Sequence, residues 1–445
     1  MTAVTSPCPQ VGTDEFIVRP LPIISIDTHI GPRLVEDLRP YCPKEHLELF
    51  DSYAAATLEA RKEEPPGGFF ARGRTAFIAQ HELNMQTDGH HDMGARLADM
   101  NRDGVAAEVI FHGSMNGEPL PFADGLFFAG SFLGDGYPDE ARQKLIAVGV
   151  HMYNAWLADA ISNEPGRHVG CAQVPSWDVE ATLREIGWAR SVGLRSVNWP
   201  TPRPGILEFD DPAWEPVWRA CEELDMPLTT HCGAIVPGLF SRDIATVPHA
   251  QSLVQMESGG WPSRRGLHRL LFSGVFERYP RLRMVLTEQA GGWWSYAMRE
   301  MDSSYVDSYT ALKDYLPLKP SEYCARNVFV GASFISAEEA AQAVNEGYSD
   351  NVMWGSDYPH PEGTWAKDDP DRTRKHLRWA FADLASDQTE AILFRNAARV
   401  YGFDLDELSN VAERIGAPSP DEISEPLTQL PTGYSKAFRT VGPWA

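Results

Sequence analysis

Short apolar runs alternate with helical patterns along most of the chain, as in proteins built on a parallel sheet. The runs predict eight strands, over Pro22–Asp27, Val105–His112, Val169–Val174, Arg195–Trp199, Pro227–His231, Arg283–Glu288, Asn327–Gly331 and Asn351–Asp357. Eight strands separated by helices are what an α/β fold of the (β/α)8 barrel type, the TIM barrel, requires. An open doubly wound sheet would give a similar pattern, although no GxGxxG motif follows the first strand.

The intervening segments carry helical periodicity and end signals. Predicted helices cover Met93–Arg102, Val148–Asn163, Asp178–Val192, Pro212–Leu224, Gly266–Tyr279, Ala337–Asn345, Arg372–Ala385 and Thr389–Val400. The first of these should be capped by Asp92 at its start and by Gly104, in a left-handed conformation, at its end.

Two long connections interrupt this alternation, residues 31–91 after the first strand and 233–265 after the fifth. Long connections of this kind usually shape a pocket, and specificity would lie there. From about Leu408 the chain is Pro-rich and has little periodicity. We predict an N-terminal extension (1–20), a barrel (21–403) and a C-terminal arm (404–445) that lies over the barrel or over a second subunit, as in a homodimer.

The charge of the chain limits the classes of binding partner, and its cysteines indicate the redox state of its thiols. The net charge is −23, with 39 basic against 62 acidic side chains. An acidic surface argues against nucleic acid and anionic membranes as partners, because both require a surplus of Lys and Arg. The six cysteines are scattered without a CxxC pair, which is typical of reduced thiols. Without a leader or a long apolar run, the chain is expected to be cytoplasmic and to act on a small molecule.

Polar residues at the predicted strand ends suggest a metal site. In a parallel barrel these ends converge on one face, and residues two apart in a strand point the same way. The candidate ligands are imidazoles and carboxylates, which bind zinc, iron or manganese: Asp27, His29, His231, Glu288 and Asp357. Since a single His or Asp after a strand is more often a loop residue or helix cap, the prediction depends on several of them sharing one face.

Several stretches resemble the amidohydrolase-related family that includes aminocarboxymuconate semialdehyde decarboxylase and the dihydroxybenzoate decarboxylases. The strongest is Val352–His360 (VMWGSDYPH), and the others are Leu228–Gly233 (LTTHCG), Ser273–Pro280 (SGVFERYP) and Asn396–Gly402 (NAARVYG). The resemblance extends from about Ile24 to Phe403 and is more specific for the family than for a substrate. It implies a metal-dependent (β/α)8 barrel.

The resemblance implies metal ligands at His29, His231 and Asp357, but the sequence departs from the family at two positions. The family usually has His-x-His in the first strand, where this chain has Asp27, and its decarboxylases often have His at Glu288. These two residues are therefore candidate ligands by position only, and the chain looks like a divergent bacterial branch. Carboxylate in place of imidazole shifts the preference from zinc toward manganese or iron, and bridging carboxylates leave one ion or two open.

Three functions follow from this site. The leading one is hydrolysis of a small hydrophobic or aromatic carbonyl compound, whether an amide, an ester, a thioester or a carbon–carbon bond, by metal-activated water. Asp357 would be the general base, Glu288 would ligate or orient the water, and His360 would protonate the leaving group or be only a loop residue. The alternatives are metal-dependent non-oxidative decarboxylation and a metal-free binding barrel.

Four further residues are candidates for substrate binding. Trp293 and Trp294 follow the sixth strand and would supply an aromatic wall, although most tryptophans in a chain of this size belong to the core. His112 ends the second strand at the predicted site face. Arg33 follows the first strand and would pair with a substrate carboxylate, or else be an exposed structural arginine.

Overall fold

Eight parallel strands form one sheet in the computed structural model, which describes residues 19–62, 75–123, 140–202, 206–231, 260–289, 291–431 and 435–438. The strands are β1 (Ile24–Ile30), β2 (Ala107–His112), β3 (His168–Ala172), β4 (Ser196–Asn198), β5 (Leu228–His231), β6 (Met284–Thr287), β7 (Val328–Ser333) and β8 (Val352–Gly355). Each strand pairs with the next one along the chain, in the order β1 to β8.

The sheet closes between its first and last strands. Thr28 forms a parallel bridge with Tyr358, just after β8. The amide of Asp357 donates to the carbonyl of Asp27 at 2.9 Å, and the amide of His29 donates to the carbonyl of Tyr358 at 2.6 Å. This closure confirms the predicted barrel and excludes the open sheet.

Helices surround the barrel. They are α1 (Leu47–Arg61), α2 (Thr75–Asn84), α3 (Met93–Asp103), α4 (Glu140–Ile161), α5 (Val179–Ser191), α6 (Glu215–Glu223), α7 (Trp261–Phe272), α8 (Val275–Arg278), α9 (Trp293–Asp307), α10 (Tyr309–Leu312), α11 (Pro320–Asn327), α12 (Ala337–Asn345), α13 (Arg372–Phe381), α14 (Ser386–Glu390), α15 (Asn396–Tyr401), α16 (Leu405–Ile415) and α17 (Pro420–Ile423). Within the part of the chain that the structure describes, none of them is both long and apolar enough to cross a bilayer.

Every strand of the barrel is buried along its whole length. The fit is tight where β7 faces β1: a Cβ at Gly331 would lie 2.3 Å from Cδ1 of Ile26. Outside the wall, the indole of Trp199 packs edge to face against two others. Its ring centroid lies 5.1 Å from that of Trp214 and 5.0 Å from that of Trp218. Burying each of these rings stabilises the fold by about 2–3 kcal/mol.

Local signals were predicted well, while strand ends moved by a few residues. The carboxylate of Asp92 accepts a hydrogen bond from the amide of Ala95 at 2.7 Å, and Gly104 ends α3 with φ +76°, as predicted. β1 extends to Ile30, so Asp27 and its neighbours belong to the strand itself. β7 extends to Ser333, two residues beyond the predicted end.

The first part of the predicted C-terminal arm is helical, although the sequence has little periodicity from about Leu408. Residues Leu405–Ile415 form α16, whose buried side chains recur at helical spacing. Beyond it, the carbonyl of Pro418 accepts a hydrogen bond from the amide of Leu21 at 2.9 Å, so this part of the tail lies beside the start of β1, at the opposite end of the barrel from the strand ends. The domain boundaries and the homodimer stay predictions.

Candidate metal centre

Asp27 and His29 lie two residues apart in β1 and point into the mouth of the barrel. Oδ1 of Asp27 is 3.2 Å from Nε2 of His29 and 3.4 Å from Nε2 of His231, which ends β5. Asp357, just after β8, brings Oδ1 to 3.3 Å from the same His29 nitrogen. Side chains from three separate strand ends, those of β1, β5 and β8, therefore meet at one point, as a parallel barrel requires.

A contact at Nδ1, the ring nitrogen away from the two carboxylates, orients His29. Its Nδ1 lies 3.4 Å from the carbonyl oxygen of His112, which ends the neighbouring strand. A donor at Nδ1 leaves the lone pair of Nε2 directed at the two carboxylates, which is how metal-binding histidines are usually held. The carbonyl of His112, rather than its side chain, makes this contact.

Several atoms of this cluster have no hydrogen-bond partner among the residues that the structure describes. They are Oδ1 of Asp27, Nε2 of His29 and both carboxylate oxygens of Asp357, all fully buried. Burying such atoms without a partner is costly, and their mixture of nitrogen and carboxylate oxygen suits a divalent cation. Because the unsatisfied atoms converge, the residues present fit a metal.

Two overlapping sets of side chains bring their ligand atoms within 4.8 Å of one another: Asp27, His29 and His231 form one, and His29, Asp357 and His360 the other. The other oxygen of Asp27 accepts a hydrogen bond from Ser333 at 2.5 Å, which fixes the orientation of the carboxylate. Because Nε2 of His29 is common to both sets and one ring nitrogen binds one ion, an ion held by His29 would be shared by the two sets.

The pKa values of the two central carboxylates favour their charged form. Burial alone would raise the pKa of Asp27, but the imidazoles of His231 and His29 lower it well below its ordinary value. Burial likewise opposes ionisation of Asp357, and the positive charge of His360 lowers its pKa. Charged carboxylates are the form that binds cations.

Glu288 behaves differently. Burial raises its pKa to about 8, and the charges of Asp357 and Asp27 act in the same direction, while His231 opposes them. Its Oε2 is 3.7 Å from Nδ1 of His231. The raised pKa favours the protonated form of Glu288 beside the ligand cluster, which is the state a general acid needs.

His360 is held on both sides. Its ring stacks on that of His29 with centroids 4.0 Å apart. Nδ1 lies 2.9 Å from Oδ1 of Asp357, and Nε2 lies 2.9 Å from the carbonyl oxygen of Gly113. Burial lowers the pKa of His360, but the carboxylate of Asp357 raises it to about 10. The ion pair with Asp357 and the contact with the Gly113 carbonyl hold the ring of His360 beside the cluster.

Two acidic residues of the site adopt left-handed backbone conformations, Glu288 with φ +58° and Asp357 with φ +56°. For residues other than glycine such a conformation costs about 1–3 kcal/mol, and strain of this kind is concentrated at functional sites. Here the left-handed conformations occur where the chain leaves β6 and β8, and they direct both carboxyl groups toward the mouth of the barrel.

The predicted substrate-binding residues are only partly brought together. His112 lies next to the cluster, with its ring against Tyr153 at 5.0 Å. Trp293 lies just after β6, where its indole NH donates to the carbonyl of Gln289 at 3.0 Å. Trp294 stacks on Tyr348 outside the barrel wall, beside the outer surface of β7.

Arg33 is not directed at the cluster. Its guanidinium donates two hydrogen bonds of 2.9 Å to the carboxylate of Asp37, four residues further along, and its side chain is 41% exposed. The chain turns into a helix after β1, and this local pair forms there. The structure therefore favours the structural interpretation of Arg33.

Sequence reasoning missed residues that come from outside the predicted strand ends. Ser333 was overlooked because β7 was predicted to stop too early; its spacing of two from Gly331 was the available signal. α2, within the first insertion, packs on the loop after β8, where the Asn84 side chain donates to the carbonyl of Pro359 at 3.0 Å. Nothing in the sequence of α2 marked it as a cover for the site. Most of the second insertion, residues 232–259, lies outside the described residues.

Comparison with known proteins gives the class. The family model described as Amidohydrolase matches residues 26–403, and the chain belongs to this family. It is 24% identical over 275 residues to 2-amino-3-carboxymuconate-6-semialdehyde decarboxylase from Dictyostelium discoideum, covering 61% of this chain and 68% of the relative. It is also 24% identical over 243 residues to gamma-resorcylate decarboxylase from Polaromonas sp., covering 52% and 73%.

Solved structures share the fold. 5-Carboxyvanillate decarboxylase from Novosphingobium aromaticivorans, with bound manganese and 3-methoxy-4-hydroxy-5-nitrobenzoic acid, superposes with a TM-score of 0.58 at 21% identity, covering 85% of this chain and 97% of that one. 2,6-Dihydroxybenzoate decarboxylase from Rhizobium gives 0.56 at 18% identity, covering 85% and 98%. The predicted family is thus confirmed, and the chain is an enzyme of the amidohydrolase superfamily.

Proposed function

We propose that this chain is a metal-dependent non-oxidative decarboxylase of a small aromatic carboxylic acid. The observation that carries the proposal is the convergence of buried ligand atoms from Asp27, His29 and Asp357 that have no partner among the described residues. Hydrolysis was the leading prediction from the sequence. The relatives support the alternative better, because those found by sequence and by structure are named as decarboxylases.

The residues present suit a divalent cation held by Asp27, His29, His231 and Asp357. When bound, such a cation acts as a Lewis acid toward the oxygen atoms of a substrate. Manganese is the metal to test first, because the ligand set is rich in carboxylate and a structural relative contains manganese.

Glu288 supplies the proton that replaces the carboxylate, and His360 positions Asp357. In the proposed reaction Glu288 donates its proton to the ring carbon that carries the carboxylate. The carbon–carbon bond then breaks, its electron pair returns to the ring, and carbon dioxide leaves. Glu288 suits this role because burial raises its pKa to about 8. His360 keeps Asp357 in place through the 2.9 Å contact.

The test uses the full chain loaded with manganese and a panel of hydroxylated benzoic acids. Released carbon dioxide is measured, and the aromatic product is analysed by NMR after reaction in deuterium oxide. We expect one deuterium at the carbon that lost the carboxylate. Hydrolysis of esters or amides from a parallel panel, with no carbon dioxide from any acid, would instead favour the hydrolase, and metal-independent binding alone would favour the binding barrel.

A further inference from the structure

Four polar side chains at or just after the ends of β3 and β4 are buried with unsatisfied hydrogen-bonding atoms. The atoms without a partner in the described ranges are Nε2 of Gln173, Oγ of Ser176, Nδ2 and Oδ1 of Asn198, and Oγ1 of Thr201. Each of these residues is at most 2% exposed. Burying such atoms without a partner is costly and uncommon, so their grouping in two neighbouring segments indicates a place where a ligand binds.

The strand register directs Asn198 into the mouth of the barrel. Asn198 pairs with Thr229 in β5, and His231, two residues beyond Thr229, reaches Asp27 inside the mouth. Paired residues of neighbouring parallel strands, and residues two apart in one strand, project to the same face. Asn198 therefore faces inward, one level deeper in the barrel than His231.

Gln173 continues the same inward-facing row from the neighbouring strand. Cys171 pairs with Ser196, and two residues further along each strand Gln173 comes level with Asn198. The backbone of Gln173 is held by the side-chain amide of Asn154, which donates to its carbonyl at 2.8 Å and accepts from its N–H at 2.9 Å. This clamp fixes the backbone from which the Gln173 side chain extends.

Polar groups of this face satisfy one another one level deeper. Oγ of Ser196 lies 2.7 Å from Oγ1 of Thr229, and that oxygen lies 3.3 Å from the hydroxyl of Tyr401. Ser196 precedes Asn198 by two residues and therefore shares its face. Away from the mouth these side chains bond to one another, whereas at the mouth the amide of Asn198 has no protein partner in the part of the chain that the structure describes.

We propose that Asn198 and Gln173 bind an uncharged substrate group that presents an N–H beside a C=O, as a carboxamide or a lactam does. The side-chain amide of Asn198 places an acceptor next to a donor, so such a group satisfies both atoms at once. Nε2 of Gln173 donates a further hydrogen bond to the same carbonyl.

The composition of the two segments favours an uncharged group. Residues 173–177 and 196–202 contain no Asp, Glu, Lys or Arg, and a buried charge on the ligand would need a partner of opposite charge. This inference rests on the proposed function and sharpens it, because the aromatic acid would carry an amide-type substituent on the side of β3 and β4.

The test is calorimetric titration of the manganese-loaded full chain with two ligands that differ only in that group. One is 5-carbamoyl-2-hydroxybenzoate, and the other is 5-acetyl-2-hydroxybenzoate, in which a methyl group replaces the NH2. The wild type should bind the first about tenfold more tightly, since the acetyl group leaves Oδ1 of Asn198 without a donor. Asn198→Leu should bind the two with equal Kd. Gln173→Met should weaken both, because their carbonyl is common, and leave the Kd of unsubstituted 2-hydroxybenzoate unchanged.

Thermal unfolding distinguishes a binding role of Asn198 from a structural one. Asn198→Leu replaces an unpartnered amide with an apolar side chain, so it should raise the melting temperature of the ligand-free protein by about 2 °C or more. Asn327→Leu is the matched control. Asn327 is equally buried, but its amide donates to the carbonyls of Pro280 and Leu282 at 3.0 and 2.7 Å. This variant should melt at a lower temperature and keep the preference for the carbamoyl ligand.

Equal affinity of the wild type for the carbamoyl and acetyl ligands would overturn the proposal, and so would a preference that survives Asn198→Leu. A lower melting temperature of Asn198→Leu, with equal weakening of every ligand, would make Asn198 a structural residue. Carbon dioxide release from hydroxybenzoates without any carbamoyl preference would overturn this inference alone. A carbamoyl preference in a protein that releases no carbon dioxide would instead overturn the decarboxylase and leave the amide-binding site supported.

Discussion

Two buried clusters of charge lie on opposite sides of β1. Outside the barrel wall, the guanidinium of Arg96 donates two hydrogen bonds of 2.7 Å to the two oxygens of Glu108, and His168 lies 2.9 Å from the same carboxylate. Inside the mouth, Asp27 and Asp357 retain oxygens without hydrogen-bond partners among the described residues. Both clusters are almost completely inaccessible to solvent.

The difference is where the balancing charge comes from. The outer cluster contains its own cation, and the pKa of Glu108 is lowered well below its ordinary value by Arg96 and His168 despite burial. Burial of such charges is tolerated only when they are paired. The inner cluster holds three histidines, His29, His231 and His360, yet oxygens of Asp27 and Asp357 stay without a hydrogen-bond partner among the described residues. We therefore expect a bound cation to complete its charge balance. Satisfaction of hydrogen bonds thus separates a structural cluster from a binding one.

The largest expected effect is on the inner cluster. Asp357→Asn should lower kcat/KM for the proposed decarboxylation at least about 1,000-fold, as at other residues central to a reacting assembly, because the carboxylate that contacts His29 and His360 is lost. Elemental mass spectrometry should show less metal bound than in the wild type. Asp350→Asn, an exposed position just before β8, is the control. Normal turnover with bound metal in Asp357→Asn would contradict the assignment.

The next effect is on the outer cluster. Arg96→Met should lower the free energy of unfolding by roughly 3–5 kcal/mol, since it leaves the Glu108 carboxylate buried without its cation. Urea denaturation measures this. Adding Glu108→Leu should recover much of the loss. Arg39→Ala removes an exposed pair with Asp51 and should cost less than about 1 kcal/mol. Equal losses for the two arginine variants would mean that burial makes no difference.

A third test probes the packing beneath the inner cluster. A Cβ at Gly355 would lie 2.7 Å from Cβ of Asp27 and 2.8 Å from the Ser333 hydroxyl oxygen. Gly355→Ala should therefore destabilise the protein by about 1–3 kcal/mol and weaken metal binding by displacing Asp27. Gly187→Ala in α5 meets nothing within 4 Å and should be neutral or slightly stabilising. Unfolding curves and metal titrations of both variants measure these effects. Equal stability and equal metal affinity in the two variants would contradict the prediction.

The smallest expected effect concerns the ion pair between His151 and Glu185, which is a reference for the buried clusters because His151 is exposed. The hydrogen bond to Glu185 raises the pKa of His151 above its ordinary value of 6.5. The pair's stabilisation should be complete below about pH 6.5 and be lost as the pH rises through the raised value. Because His151 is 47% exposed, the gain is about 0.2–1 kcal/mol. Urea denaturation from pH 5 to 9 should show this loss in the wild type and not in His151→Gln.

Much of the barrel was predictable because periodicity and turn chemistry are local properties. Asp92, Gly104 and the eight apolar runs each report on a few neighbouring residues. The ligand candidates were predictable for a related reason: a parallel barrel brings strand ends together whatever their separation in sequence. Asp27 and Glu288, which depart from the family pattern, still point into the mouth.

What could not be predicted depends on contacts between distant segments. The sequence does not decide whether Arg33 pairs with a substrate carboxylate or with a neighbouring residue such as Asp37. The position of Trp294 depends on which side of α9 faces β7. Ser435 lies against the loop after β8, whereas Pro418 lies beside the start of β1, and no local pattern encodes these two contacts.

The closure of the barrel between β1 and the residues after β8 also governs when metal can be acquired. Asp27 is synthesised near the beginning of the chain and Asp357 more than three hundred residues later, and the two share the backbone hydrogen bond that closes the wall. A growing chain on the ribosome therefore lacks one of the four proposed ligands, and the closed wall that positions Asp27, until Asp357 has been made. We expect the complete site to form only when translation is nearly finished.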